Sequence, residues 1–332
     1  MKKDYPRLKE PENYILSEQD IANTGDFDAL LNHLTDVVVS EPSYKIDITE
    51  AGVSKQKAMV SIATLENPRI YTSLLCDITT GIEVKENRGL HMSRCIESIF
   101  TLSQKKFSTL DDFTLALATM VKKRQESDTA FAEVTGTYFH KRYTRKTKLA
   151  SYDNIELISK TRVSENKMRQ QTGMKVYNAT SCPCTKVYTK YSIVPGLRSI
   201  GQSIPQIRQI LDLTIAGSHM QLGPTIIMVD KENTDICHTH LYEVLDQSLH
   251  LVYELLKRPD EHEFVKRVLD RPQFTEDATR EVAYNAYQAF HTKLSPQAEL
   301  LVKSVLKDSI HTHDVRSVIH KTFGEIQKDL QR

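Results

Sequence analysis

The hydrophobic period of this 332-residue chain switches from two to 3.6 and back, and it does so twice. Tyr44, Ile46 and Ile48 alternate with Lys45 and Asp47. Ala58, Val60 and Ile62 continue that pattern beyond Gly52, and residues 70–78 predict a third strand. Two helical stretches follow. Residues 91–103 put Met92, Ile96, Ile99 and Phe100 on one face, and residues 111–125 do the same with Phe113, Leu117, Met120 and Val121, with Thr109 or Ser108 as N-cap. Strands are expected again over 130–143 and 149–159. The second half repeats the order: strands over 172–180 and 225–229, helices over 238–256 and 275–290, strands over 298–310 and 315–322. Each half reads strand–strand–helix–helix–strand–strand, an internal duplication without a visible residue-level repeat.

Around this core the chain is expected to divide into an arm over 1–42 and two modules over 43–165 and 166–332. The arm is polar, with Pro6, Pro11 and Pro42, and holds one short helix over 27–39. The second module carries an insertion over 186–217 in which 204–213 looks helical, Pro205 being tolerated in its first turn. A net charge of +1 gives no field that would select nucleic acid or an anionic membrane. The first residues lack the apolar core of a signal peptide, and no apolar run is long enough to span a bilayer. Five cysteines without a regular framework fit a reducing cytoplasm, so a cytoplasmic location is expected.

The chemistry-bearing residues fall in short motifs. In NATSCPCTK (178–186), Cys182 and Cys184 flank Pro183 at a strand end. A thiol there serves as metal ligand, nucleophile or buried filler, and the spacing is too short for a four-cysteine zinc site. His311 and His313 lie in DSIHTHD, where i and i+2 share one face of a strand, with Asp314 as a carboxylate that could orient them. The alternative is a polar strand end. His219, ahead of Met220 and Gln221, is a ligand or a surface histidine. His238 and His240 start a helix, where i and i+2 diverge, and are a poor metal pair. In KRPDE (257–261), Pro259 is expected to end the helix and leave Asp260 and Glu261 in a turn, as purine-edge acceptors or as a solvated terminus. Arg88, His91 and Arg94 in RGLHMSR surround a helix start, which suits an anion or a capped surface helix.

Taken in order, RGLHMSR, CPC, the HxQ segment, LLKRPDE and SIHTHD closely resemble the GTP cyclohydrolase type IB family, which includes the archaeal enzyme of methanopterin biosynthesis. The resemblance covers roughly residues 70–320. It implies an α+β fold of two tandem tunnelling-fold (T-fold) modules, each ββααββ with an antiparallel sheet and two helices on one face. It also implies homo-oligomers, dimers or tetramers, with active sites between subunits. Carried over, it makes Cys182 a catalytic thiol and metal ligand, and His219 a further ligand. His311 and His313 would lie at the metal and substrate, His311 as a ligand as well. Asp246, with Glu243 as rival, would be the carboxylate ligand. Glu261 would anchor the purine edge, with His91 also placed at the substrate.

The activity so implied is metal-dependent hydrolysis of GTP at guanine C8, with Zn, Mn or Fe(II) and release of formate. Its product would be 7,8-dihydroneopterin triphosphate or its cyclic phosphate, at the first step of folate or pterin biosynthesis. Charge and position make Arg88, Arg94 and Lys186 the candidates for the triphosphate. Leu222 stands where the family carries an arginine, and the insertion before His219 resembles the archaeal arrangement. Both leave room for a T-fold relative acting on another purine or pterin, or for a non-catalytic metal-binding relative.

Overall fold

The computed structural model describes residues 37–254 and 257–332. The expected arm and most of its helix lie outside these residues, as do Leu255 and Leu256 of LLKRPDE. Val37–Val39, the end of that expected helix, forms a short 3-10 turn.

The first alternating runs are one strand, not two. β1 (Ile48–Ala63) passes straight through Gly52 and pairs antiparallel with β2 (Tyr71–Val84). The sequence suggests a break at Gly52 because glycine usually punctuates strands, but here Gly52 faces Gly81 across the pair. A Cβ on Gly81 would stand 1.9 Å from the Ala51 carbonyl oxygen. The two glycines let the backbones close in where the register shifts on either side. Residues 44–47, expected to start the strand, precede it.

Helices α1 (Met92–Ser103) and α2 (Leu110–Gln125) follow, separated by the two-residue β3 (Lys106–Phe107). Thr109 caps α2 through a reciprocal pair with Asp112, and Glu126 ends it in the left-handed conformation. β4 (Ala130–Tyr143) and β5 (Ala150–Val163) complete the first half as expected. The second half opens with β6 (Met168–Ser181). The insertion then folds as three short helices, α3 (Pro183–Tyr191), α4 (Val194–Ser199) and α5 (Ile204–Leu213). β7 (Met220–Asp230) leads to α6 (His238–Ser248).

Here the expectation of a single helix to residue 256 fails. The chain leaves α6 after Ser248 so that β8 (His250–Leu251) can pair with Asn178 and Ala179 of β6. Pro259 then begins a helix, α7 (Arg258–Asp270), rather than ending one. Proline in a first turn removes an N–H that has no helical partner anyway, so the residue that reads as a stop is equally a start. Asp260 and Glu261 therefore sit in a first turn. Asp260 is buried and accepts from the backbone N–H groups of Lys146 (2.8 Å) and Thr147 (3.1 Å), which fastens the β4–β5 loop to α7. α8 (Thr275–Phe290), β9 (Glu299–Asp308), β10 (Asp314–Thr322) and α9 (Phe323–Leu330) close the chain.

The strands form one sheet in the order β10-β9-β7-β6-β5-β4-β2-β1-β3, antiparallel apart from the short β1–β3 pair. Each half contributes a four-stranded meander with helices between its second and third long strands, α1 and α2 in the first half and α6 to α8 in the second, which also carries α3 to α5 between β6 and β7 and α9 after β10. The expected module junction falls in the turn between β5 and β6, and pairing continues across it from Val163 to Met168. One hydrophobic cluster runs the length of the sheet, from Ile62, Ile78 and Phe113 through Leu157 and Met174 to Leu241, Val282 and Val302. Met59, Leu75, Phe139, Tyr152 and Tyr177 stand exposed on the opposite face. No helix among the described residues is long and apolar enough to cross a membrane.

The facing glycines yield a stability test. Gly81→Ala is expected to cost about 2 kcal/mol or more, because backbone must move to admit the methyl group. A lower urea midpoint would show it, whereas an unchanged midpoint would mean that β1 and β2 can separate at no cost.

Candidate functional site

The far end of β6 gathers the motifs. Cys182 is the N-cap residue of α3, half-buried, with Pro183 in the first turn and Cys184 turned to solvent. Its backbone N–H donates to the His219 carbonyl (3.1 Å), and the Ser218 hydroxyl donates to the Cys182 carbonyl (2.6 Å). The long insertion thus returns to the residue it left, because β7 starts opposite the end of β6, with Met220 beside Ser181. Thr185 on α3 lies 3.2 Å from His219 Nδ1, and Lys186 donates to the Asp270 carbonyl (3.2 Å) at the end of α7.

His311 and His313 are in the connection between β9 and β10, not within a strand as expected, and both are exposed. Their rings nonetheless stack, with centroids 5.0 Å apart and planes 12° from parallel. His311 meets His219 edge-on at 6.2 Å. The carboxylate at these histidines is Asp308, which sequence reasoning missed, and not Asp314, which lies exposed at the start of β10. Asp308 Oδ2 is 3.5 Å from His219 Nε2 and accepts from the Gln221 side chain at 2.7 Å, while Oδ1 accepts from the Ile310 N–H at 2.9 Å. The Thr275 hydroxyl donates to Gln221 Oε1 (2.8 Å) and so fixes which end of the amide faces Asp308. Burial of Asp308 opposes ionisation. The Gln221 amide, the Ile310 N–H and the neighbouring His219 and His311 outweigh it and hold the carboxyl below its ordinary range. Position carried the missed signal: Gln221 and Asp308 are cross-strand partners, and Asp308 opens the DSIHTHD motif.

The other candidates lie elsewhere in the chain. Asp246 on α6 is 3.3 Å from Arg142, which also pairs with buried Asp153 at 3.1 Å, and its rival Glu243 is exposed. Glu261 is exposed in the first turn of α7. Arg88, His91 and Arg94 follow β2, whose last residues lie level with the first residues of β6. Cys182 follows the last residue of that 14-residue strand, so the two groups are separated by roughly 40 Å along the sheet. Arg94 donates to the Arg124 carbonyl (2.8 Å) at the end of α2. His238 is buried with Nε2 3.1 Å from the Ile158 carbonyl, and His240 packs its Nδ1 against the Cys237 N–H, so this pair is structural. Leu222 is exposed on β7.

The donor types at Cys182, His219 and His311 suit a borderline-soft divalent ion. In one chain the set does not close, because among the described residues no three His, Cys, Asp or Glu side chains converge on a metal position.

Against known proteins, the model of the type I GTP cyclohydrolase folE2 family matches residues 34–317. The chain belongs to that family. GTP cyclohydrolase MptA of Methanococcus aeolicus is 28% identical over 310 residues, which covers 89% of this chain and 99% of that protein. GTP cyclohydrolase MptA 1 of Methanocella arvoryzae is 26% identical, over 90% of this chain and 96% of its own. Among solved structures, the uricase of Arthrobacter globiformis overlays with a TM-score of 0.43 and 8% identity, over 87% of this chain and 96% of that one. A likeness that weak carries no argument.

The Asp308 carboxylate makes stability depend on pH in a defined direction. A carboxyl whose folded pKa is depressed stabilises the fold above its unfolded value of about 3.9, and that contribution is lost as pH falls through the folded value. Wild type should therefore exceed Asp308→Asn in unfolding free energy at pH 7, and the gap should shrink below about pH 4. Urea titrations at pH 7, 5 and 3 read this directly, and a gap that widens in acid would refute it.

Proposed function

We infer that this chain is a GTP cyclohydrolase that opens the guanine ring at C8 and releases formate. The observation that supports the reading is the placement of Cys182, His219 and His311 at the same end of the sheet in a chain of this family. The proposed product is 7,8-dihydroneopterin triphosphate or its cyclic phosphate, which would place the reaction at the entry to folate or pterin biosynthesis.

A divalent ion, Zn, Mn or Fe(II), would be held by Cys182 and His219 and would supply an activated water when bound. The protein's own groups account for the rest. Addition of water to C8 and ring opening require a proton to leave the water and another to reach the departing nitrogen. His311 and His313, exposed and stacked next to His219, are the groups that can exchange those protons with solvent. A second water then cleaves the formamide to formate and an amine, and closure to the pterin requires the ribose to open, isomerise to its 2-keto form and condense with that amine, releasing one water. Asp308 and Gln221 would serve as positioning residues, fixing the face that His219 presents.

In this reading the fold is a pair of tandem T-fold modules, and the active site is completed between copies. Support comes from the separation of Arg88, His91 and Arg94 from Cys182 within one chain, since only a second copy can bring such groups to the same nucleotide. Glu261, exposed at the start of α7, remains the proposed purine-edge acceptor. A second reading, action on another purine or pterin, is favoured by Leu222, which places an apolar side chain where the family arginine would stand.

Purified protein given GTP with Mn, Zn or Fe(II) should release formate and leave a compound that becomes fluorescent on oxidation. Cys182→Ala should lower turnover at least about 100-fold and reduce bound metal. Full activity in Cys182→Ala would sink the proposal. Turnover of a different nucleobase with none of GTP would favour the second reading.

A further inference from the structure

A cavity of about 680 Å³ lies between α6, α7 and the loop joining β4 to β5. Its walls carry Arg145, Lys146, Lys266, Arg267 and Arg271, together with His250. The acids nearby do not balance these cations. Asp246 is 3.3 Å from Arg142, which is not part of the wall. Lys266 is held by Asp270, and Arg271 by Glu281 at 3.2 Å and the Ser248 carbonyl at 2.6 Å. Glu263 stands 3.4 Å from Arg267, yet Glu263 Oε2 and Arg267 Nε are buried without a hydrogen-bond partner. The exposed side chains of Arg145 and Lys146 make no hydrogen bond or ion pair among the described residues.

Like charges are crowded here. Burial and the proximity of Arg145 lower the pKa of the Arg267 guanidinium. Burial pushes His250 down to about 4, and Arg267, Arg271 and Arg145 add to the effect against the Arg271 carbonyl. His250 is therefore neutral at pH 7, with Nε2 3.1 Å from that carbonyl and Nδ1 3.5 Å from the Arg267 guanidinium. The arrangement is also held in place: the backbone of Lys146 and Thr147 is fastened by the buried carboxylate of Asp260. A fixed loop thus holds two exposed, unpartnered cations beside a third, half-buried one, and their summed field attracts an anion.

We propose that this cavity binds a polyphosphate chain, with Arg145, Lys146 and Arg267 as its principal contacts. Its volume exceeds that of a single oxyanion, and guanidinium forks suit successive phosphoryl groups. The wall also contains Asp270, whose carbonyl accepts from Lys186 one helical turn beyond Cys182. That continuity makes the triphosphate of GTP the expected occupant, a refinement that rests on the cyclohydrolase reading, whereas the anion site itself does not.

Calorimetric titration of the full chain with inorganic tripolyphosphate tests it. Wild type and Cys182→Ala should bind alike, and the Arg145→Ala/Lys146→Ala double variant should bind at least about tenfold more weakly, since exposed residues are changed and the fold is retained. Arg145→Lys should recover part of the loss. Displacement of tripolyphosphate by GTP supports the triphosphate assignment, and saturable binding that GTP does not displace overturns that assignment while supporting a separate polyphosphate site. No saturable binding by wild type, or equal binding by the double variant, overturns the site altogether.

Discussion

Strand β6 is the element on which the rest of the structure depends. It pairs with β5 on one side and β7 on the other, takes β8 along part of its length, and joins the two meanders into one sheet. Because side chains alternate along a strand, a shift of one residue would carry Met174 and Val176 out of the core. The same register determines where β6 stops, and so places Cys182 beside His219. Thirty-odd residues of insertion separate these two in sequence, and the β6–β7 ladder brings the two ends of that loop together.

The site is built outward from that ladder by side chains that neighbouring strands hold in pairs. Gln221 and Asp308 face each other across β7 and β9, and Thr275 on α8 supplies the hydrogen bond that orients the amide. The carboxylate so held is then available to His219, and the loop it begins delivers His311 and His313. Such a chain of buried polar groups is costly if any member is left unpaired, which makes the orientation of His219 a property of the whole sheet end rather than of the histidine alone.

Most long strands and helices were legible in the sequence because each buries one face, and a half-buried element must show its period. α2 and α8 were legible for that reason, with Thr109 marking the start of α2. The misreadings share a cause: a local signal with two physical meanings. Gly52 reads as a break but permits a close strand pair, and Pro259 reads as a helix stop but fits a first turn. β8 was hidden because a two-residue strand has no period, and its pairing with β6 is a tertiary fact. Cys182, His219, His311 and His313 were singled out as candidates through their motifs in order, whereas Asp308 was not, since nothing local distinguishes a strand-end aspartate from a solvated one until its partner Gln221 is placed opposite.

Strand length also constrains how a site of this kind can be assembled. The 14 residues of β6 put the groups after β2 and those after β6 at opposite ends of the sheet, and a rigid antiparallel ladder cannot bend to bring them together. A nucleotide triphosphate is far shorter than that separation. Under the cyclohydrolase reading, one chain must therefore contact its substrate either with the residues near Cys182 alone or with a second copy supplying the other end. The cationic cavity beside α7 lies on the Cys182 side of this divide, next to Asp270 and Lys186. If it takes the phosphates, the second copy is required for metal closure or purine contacts and not for charge neutralisation. The triphosphate role that charge and position suggested for Arg88 and Arg94 would then pass to the cavity's own cations.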